Sequence, residues 1–107
     1  MKIPLSVKIG AHTVSVEMPD SNEEIGDKSG EDLGDTLLAQ NRIRVCAKYD
    51  GNDVPESMMA EVFLHEVLHY VLYQAGHGLC ESEVTAAASG LLQVIRDNGL
   101  DFRKATK

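Results

Sequence analysis

The chain has 107 residues, of which 43% are hydrophobic and 25% charged, with a formal net charge of −7 at pH 7. This composition is typical of one globular domain with a single modest core. No apolar run approaches the roughly 18 residues of a membrane-spanning helix, and no basic patch could neutralise phosphates, so membrane and nucleic-acid partners are not expected. Because residues 1–8 lack the long apolar segment of a secretory signal, the sequence predicts a cytoplasmic protein.

The first half of the chain predicts strands. Apolar and polar residues alternate on both sides of a turn near Gly10, as in a hairpin with one buried face. The residues expected on that face are Leu5, Val7, Ile9, Val14, Val16 and Met18. Two more strands are predicted at 35–38 and 41–47, and Arg42 and Arg44 on one side of the latter indicate an outer strand.

An acidic loop is expected between these two pairs of strands. Residues 19–35 hold seven acidic side chains and one lysine, a net charge of −6, which leaves the remainder of the chain near neutral. Such a stretch is typical of a solvated loop, although it could also exclude anionic substrates or gate a cleft.

Two helices are predicted in the second half. After a turn at 49–52, the first helix should begin near Asp53 and end near Ala75, before a glycine-rich turn. The second should span residues 81–98, followed by a basic tail at 99–107. The apolar positions of the second helix are Val84, Ala88, Leu91, Leu92 and Ile95.

The motif that carries chemistry is His65-Glu66-Val67-Leu68-His69, within the first predicted helix. Side chains four residues apart project from the same face of a helix, so both imidazoles can bind one metal ion. Glu66 lies beside them and can reach a water on that ion. This His-Glu-x-x-His arrangement is typical of zinc metallopeptidases, in which the glutamate is the general base.

The spacing leaves several candidates for the third protein ligand that a catalytic zinc site needs. Glu81 is the best placed, because it falls on the inward stripe of the second helix. Glu83 falls toward the flank, where a carboxylate at a helix start is a favourable dipole partner. His77 and Cys80 remain alternatives. Cys46 and Cys80 are otherwise predicted to be free thiols, because two cysteines do not form a disulfide framework.

Three segments together resemble the gluzincin pattern: FLHEVLH at 63–69, ESEVT at 81–85 and ASGLL at 88–92. In that pattern a second helix carries the third ligand as glutamate, followed four positions later by a polar residue, usually Asp or Asn. The chain is similar in this respect to the ImmA/IrrE-like metallopeptidases of phages and mobile elements and to the minigluzincins.

The resemblance assigns roles residue by residue. It implies that His65, His69 and Glu81 are the metal ligands for a zinc cofactor and that Glu66 is the catalytic general base. Thr85 stands where relatives often carry the Asp or Asn that braces a ligand histidine. Threonine can still accept a hydrogen bond there, but a weaker one.

The implied fold is α+β: a single minimal zincin-like metallopeptidase domain over residues 1–107. A small antiparallel sheet of three to four strands would pack on an active-site helix and a glutamate helix. The implied function is a zinc-dependent endopeptidase that hydrolyses peptide bonds of a protein or peptide substrate through a zinc-bound water activated by Glu66. The alternatives are a non-catalytic zinc-binding regulatory module of phage or mobile-element origin, and a globular protein in which the motif is accidental.

Two details of substrate binding are also expected. An extended substrate should pair with strand 41–47 by main-chain hydrogen bonds, and the arginines there could prefer acidic side chains. Tyr70, Tyr73 and His77 are the candidates for a second oxyanion donor, by their proximity in sequence to the motif.

Overall fold

The computed structural model describes residues 3–21, 25, 33–77 and 80–100. Over these residues the chain has the predicted α+β fold, with a four-stranded sheet, a two-stranded hairpin and two helices. The strands are β1 (Ser6–Ile9), β2 (His12–Glu17), β3 (Gly34–Leu37), β4 (Arg42–Val45), β5 (Lys48–Tyr49) and β6 (Asn52–Asp53). The helices are α1 (Glu56–Gln74) and α2 (Glu81–Asn98), and a short 3₁₀ helix spans Leu38–Gln40.

Two predicted segments lie largely outside the described residues. They are most of the acidic loop, at 22–24 and 26–32, and the tail at 101–107. Within the described part of the chain, neither helix combines the length and apolar character that crossing a membrane requires.

The four-stranded sheet is mixed rather than wholly antiparallel. Its order is β1-β2-β4-β3, with β1 and β2 antiparallel, β3 and β4 antiparallel, and β2 and β4 parallel. The connection after β2 carries the chain to the far edge of the sheet. Strand β3 then runs antiparallel to β2, and β4 turns back to fit between them. The alternation of apolar and polar residues in the sequence indicates where the strands are, but it does not indicate their order in the sheet.

The prediction that residues 41–47 form an outer strand is wrong, because β4 lies between β2 and β3 and the outer strands of this sheet are β1 and β3. The arginines that suggested an edge are neutralised across the sheet instead. Arg44 lies opposite Asp35 and donates to its carboxylate at 2.8 Å, and Arg42 lies 3.4 Å from the carboxylate of Glu17. Both arginines thus have an acidic partner on a neighbouring strand, and a preference for acidic substrates stays a prediction.

The core lies between the sheet and α1. Its buried cluster consists of Ile9, Val14, Val16, Ile43, Val45, Phe63 and Tyr70. Leu5 and Met18, both predicted to be inward, lie just outside β1 and β2 and are exposed. Helix α2 packs on α1 through Val84, Ala88 and Leu92, while Leu91, also predicted to be inward, is exposed.

The helix boundaries follow the local turns. Lys48–Tyr49 and Asn52–Asp53 pair as a hairpin around Asp50 and Gly51, both of which have positive φ, as this tight turn requires. The hairpin incorporates Asp53, so α1 begins at Glu56 rather than near Asp53. Helix α2 has its predicted limits. Both cysteines are free, as predicted.

Gly34 allows the outer strand β3 to approach α1. A Cβ built at this position would lie 2.5 Å from Cγ1 of Val62 and 2.9 Å from the backbone oxygen of Arg44. Gly34→Ala should therefore lower the free energy of unfolding by about 1–3 kcal/mol, a typical cost of overpacking, as measured by urea denaturation.

Gly90 provides the control for that substitution. It lies within α2, where a built Cβ meets nothing within 4 Å. Gly90→Ala should stabilise the protein by about 0.5–1 kcal/mol, because alanine loses less backbone entropy in a helix. If Gly34→Ala proved as stable as the wild type, the close packing of β3 on α1 would be incorrect.

Candidate metal centre

Helix α1 places His65 and His69 on one face, as their spacing predicts. Their Nε2 atoms lie 3.1 Å apart, and the ring centroids are separated by 4.7 Å. His69 is buried and His65 half-buried. The two imidazoles therefore converge on one point at the edge of the core.

Helix α2 brings Glu81 to the same point. One carboxylate oxygen of Glu81 lies 2.9 Å from Nε2 of His65, and the other lies 2.8 Å from Nε2 of His69. Donors held about 2.0–2.1 Å from a tetrahedral zinc ion lie roughly 3.3 Å from one another. The observed separations, which involve both carboxylate oxygens, are a few tenths of an ångström shorter, so these three side chains are close enough to bind one ion.

The other candidate ligands lie elsewhere. Glu83 turns back to the start of α2 and accepts a hydrogen bond from the backbone nitrogen of Cys80 at 3.1 Å. Hydrogen bonds from the Cys80 side chain and backbone lower the pKa of Glu83, so it acts as a charged helix cap. The Cys80 sulfur lies 3.1 Å from the hydroxyl of Ser82, and His77 is exposed. Among the described residues, His65, His69 and Glu81 form the group that could hold a metal ion.

Two further side chains orient the histidines. The hydroxyl of Thr85 lies 3.4 Å from Nδ1 of His65, which is the bracing position expected from the sequence. Tyr73 stacks on His69, with centroids 5.4 Å apart and an angle of 19° between the rings. When Nε2 faces a metal, such contacts fix the orientation of the ring.

Glu66 lies beside this group but is not part of it. The residue is 6% exposed, and a buried carboxylate requires hydrogen-bond donors. Thr36 on β3 supplies one, since its hydroxyl lies 2.8 Å from a carboxylate oxygen of Glu66 and 3.0 Å from its backbone oxygen. Sequence reasoning missed Thr36, because no spacing rule connects residues that are 30 positions apart.

These residues share one open cleft of about 850 Å³ between β3, α1 and α2. His65, His69, Glu81 and Glu66 all line it, together with Thr36, Thr85 and Tyr73. A ligand in the cleft would therefore meet the candidate metal group and the Glu66 carboxylate together.

The three candidate oxyanion donors differ in position. Tyr70 is buried, and its hydroxyl donates to the side-chain oxygen of Asn41 at 2.6 Å. His77 is not among the described residues that line the cleft, whereas Tyr73 is. Of the three candidates, Tyr73 therefore has the position expected of a second oxyanion donor.

No family model matches the chain, and neither curated proteins nor solved structures show significant similarity to it. The likeness to gluzincins therefore stays a prediction. The arrangement of His65, His69 and Glu81 defines a candidate metal centre.

Proposed function

We propose that this chain is a small zinc-dependent endopeptidase. His65, His69 and Glu81 hold the ion, and Glu66 is the general base. The observation that carries the proposal is the convergence of three ligand side chains from two helices, with a separate buried carboxylate in the same cleft.

The donor set favours zinc. Two imidazoles and one carboxylate form a common catalytic zinc site, in which the fourth position is left for water or substrate. When bound, zinc lowers the pKa of its water to about 7 and polarises a carbonyl group.

The residues of the chain supply the proton transfers. Glu66 accepts a proton from the attacking water as the peptide carbonyl is attacked, and then passes it to the nitrogen of the leaving amine. Thr36 holds the Glu66 carboxylate in place for both transfers. Thr85 and Tyr73 keep the two imidazoles oriented.

The substrate lies along β3 rather than β4. Strand β3 is the outer strand on the side of the cleft, and residues 33–36 line the cleft. An extended peptide can therefore pair with its outer edge by main-chain hydrogen bonds while the peptide bond to be cleaved lies near Glu66.

The proposal is tested by incubating the zinc-loaded protein with an unfolded protein substrate. We expect cleavage that a chelator stops and added zinc restores. Bound zinc without cleavage of any substrate would instead favour a regulatory zinc-binding module, and failure to bind zinc would contradict both.

Thr36 should matter for turnover and not for metal binding. Thr36→Val keeps the shape of the side chain but removes the hydrogen bond to Glu66, and a bond to a charged group contributes about 1.5–3 kcal/mol. We expect kcat to fall about tenfold, with KM and zinc affinity unchanged. Steady-state kinetics and a zinc titration measure these quantities.

Thr36→Ser is the matched control, because serine restores the hydroxyl. It should recover most of the lost kcat. If Thr36→Val were fully active, or if the serine variant were equally impaired, Thr36 would not position Glu66.

A further inference from the structure

A second hollow adjoins the candidate metal cleft. It is a shallow, open depression of about 470 Å³ between the β5–β6 hairpin and the start of α1. Leu33 and Met58 line both the hollow and the cleft, so the two spaces are next to each other. A peptide bound in the cleft can therefore extend a side chain into the hollow.

Most of the wall of the hollow is apolar, and Asp50, Asn52 and Asp53 form its polar side. The apolar part consists of Leu33, Val54, Pro55, Tyr49 and Met58, and the last two residues are 40% and 41% exposed. Covering these exposed surfaces with the methylene groups of a ligand would be favourable. The hollow thus suits the methylene chain of a long side chain.

The charged residues around the hollow are acidic. Asp50 and Asp53, on the hairpin, line the hollow and are exposed. Asp35, Glu66 and Glu81 also line the cleft. Asp35 pairs with Arg44, however, and the two glutamates are assigned to the proposed catalytic site. The remaining acidic border of the two spaces therefore consists of Asp50, Asp53 and Glu61. Among the described residues, no lysine or arginine lines either space. A cleft bordered by one sign of charge concentrates ligands of the opposite sign.

From this combination we infer that the substrate is a basic peptide, and that the hollow receives a lysine or arginine side chain next to the cleavage site. The aliphatic stem packs on Tyr49 and Met58, and the cationic end reaches Asp50 and Asp53. This inference rests on the proposed function, since it assumes that a peptide occupies the metal cleft. A glutamate side chain in the same place would be repelled by the carboxylates.

The test uses the zinc-loaded Glu66→Gln protein, so that binding is measured without turnover. Its probes are short peptides that are identical except for one residue, which is lysine, norleucine or glutamate and is moved along the peptide in turn. At one position the lysine peptide should bind about fivefold more tightly than the norleucine peptide, as expected for partly exposed charge pairs. Added salt should weaken this preference.

Two variants locate the preference. Asp50→Asn combined with Asp53→Asn should remove it, whereas Asp97→Asn, an exposed acid on α2 that lines neither space, should leave it intact. Equal affinity for the three peptides, no binding of any of them, or an unchanged preference in the double variant would overturn the inference.

The same peptides, incubated with the wild-type protein, separate this inference from the proposed function. Cleavage without a preference for lysine would leave the peptidase in place and remove the basic-peptide assignment. A lysine preference in binding, without cleavage of any peptide, would leave the binding of basic peptides in place and remove the peptidase.

Discussion

Replacing Glu66 with glutamine is expected to lower kcat for peptide cleavage by about 10²- to 10⁴-fold, the usual contribution of a general base, while zinc remains bound. Glu66 stands outside the group of His65, His69 and Glu81, so its loss should not open the metal site. Glutamine has nearly the same size and can still accept the hydrogen bond from Thr36, but it cannot take up a proton from water. Kinetics and zinc analysis of the same preparation measure both effects.

Glu83→Gln is the matched control, because it makes the same chemical change on α2. Its carboxylate caps that helix and lies outside the cleft lining, so kcat should be unchanged. Full activity of Glu66→Gln would remove the general base from the mechanism. Loss of zinc from that variant would show that Glu66 supports the metal site instead.

Glu81→Ala is expected to lower zinc affinity by more than about 100-fold. Removing a residue that merely orients a metal ligand typically costs about 10- to 100-fold, and Glu81 is placed to bind directly, within 2.9 Å of both histidines. A competition titration against a chromophoric chelator measures the affinity.

Glu83→Ala tests whether that loss is specific to the third ligand. Glu83 lies two residues further along α2, but its hydrogen bond is to Cys80, so the variant should bind zinc as the wild type does. Equal zinc losses in the two variants, or a larger loss in His77→Ala, would overturn the choice of ligand.

The lowered pKa of Glu83 also has a consequence for stability. The stabilising effect of its ionised carboxylate on α2 is present at neutral pH and is lost as the pH falls through that pKa.

The residues on the helices could be predicted from sequence because helical geometry is local. The spacing of His65 and His69 fixes their common face, and the inward stripe of the second helix contains Glu81. Both expectations agree with the distances between these side chains. The chain between the two helices is short, which limits how far α2 can lie from α1.

The sheet was harder to predict because its arrangement depends on contacts between distant segments. Arg42 and Arg44 suggested an edge, but Glu17 and Asp35 on the neighbouring strands neutralise them in the interior of the sheet. Thr36 reaches Glu66 because β3, at the edge of the sheet, packs against α1. Neither the strand order nor this hydrogen bond follows from the alternation of apolar and polar residues along each strand.

The most direct test of the metal centre is anomalous X-ray diffraction at the zinc edge from zinc-loaded crystals. The expected result is an anomalous peak within bonding distance of Nε2 of His65, Nε2 of His69 and a carboxylate oxygen of Glu81. A peak at His77 or Cys80 instead, or no peak between the two helices under saturating zinc, would contradict the account.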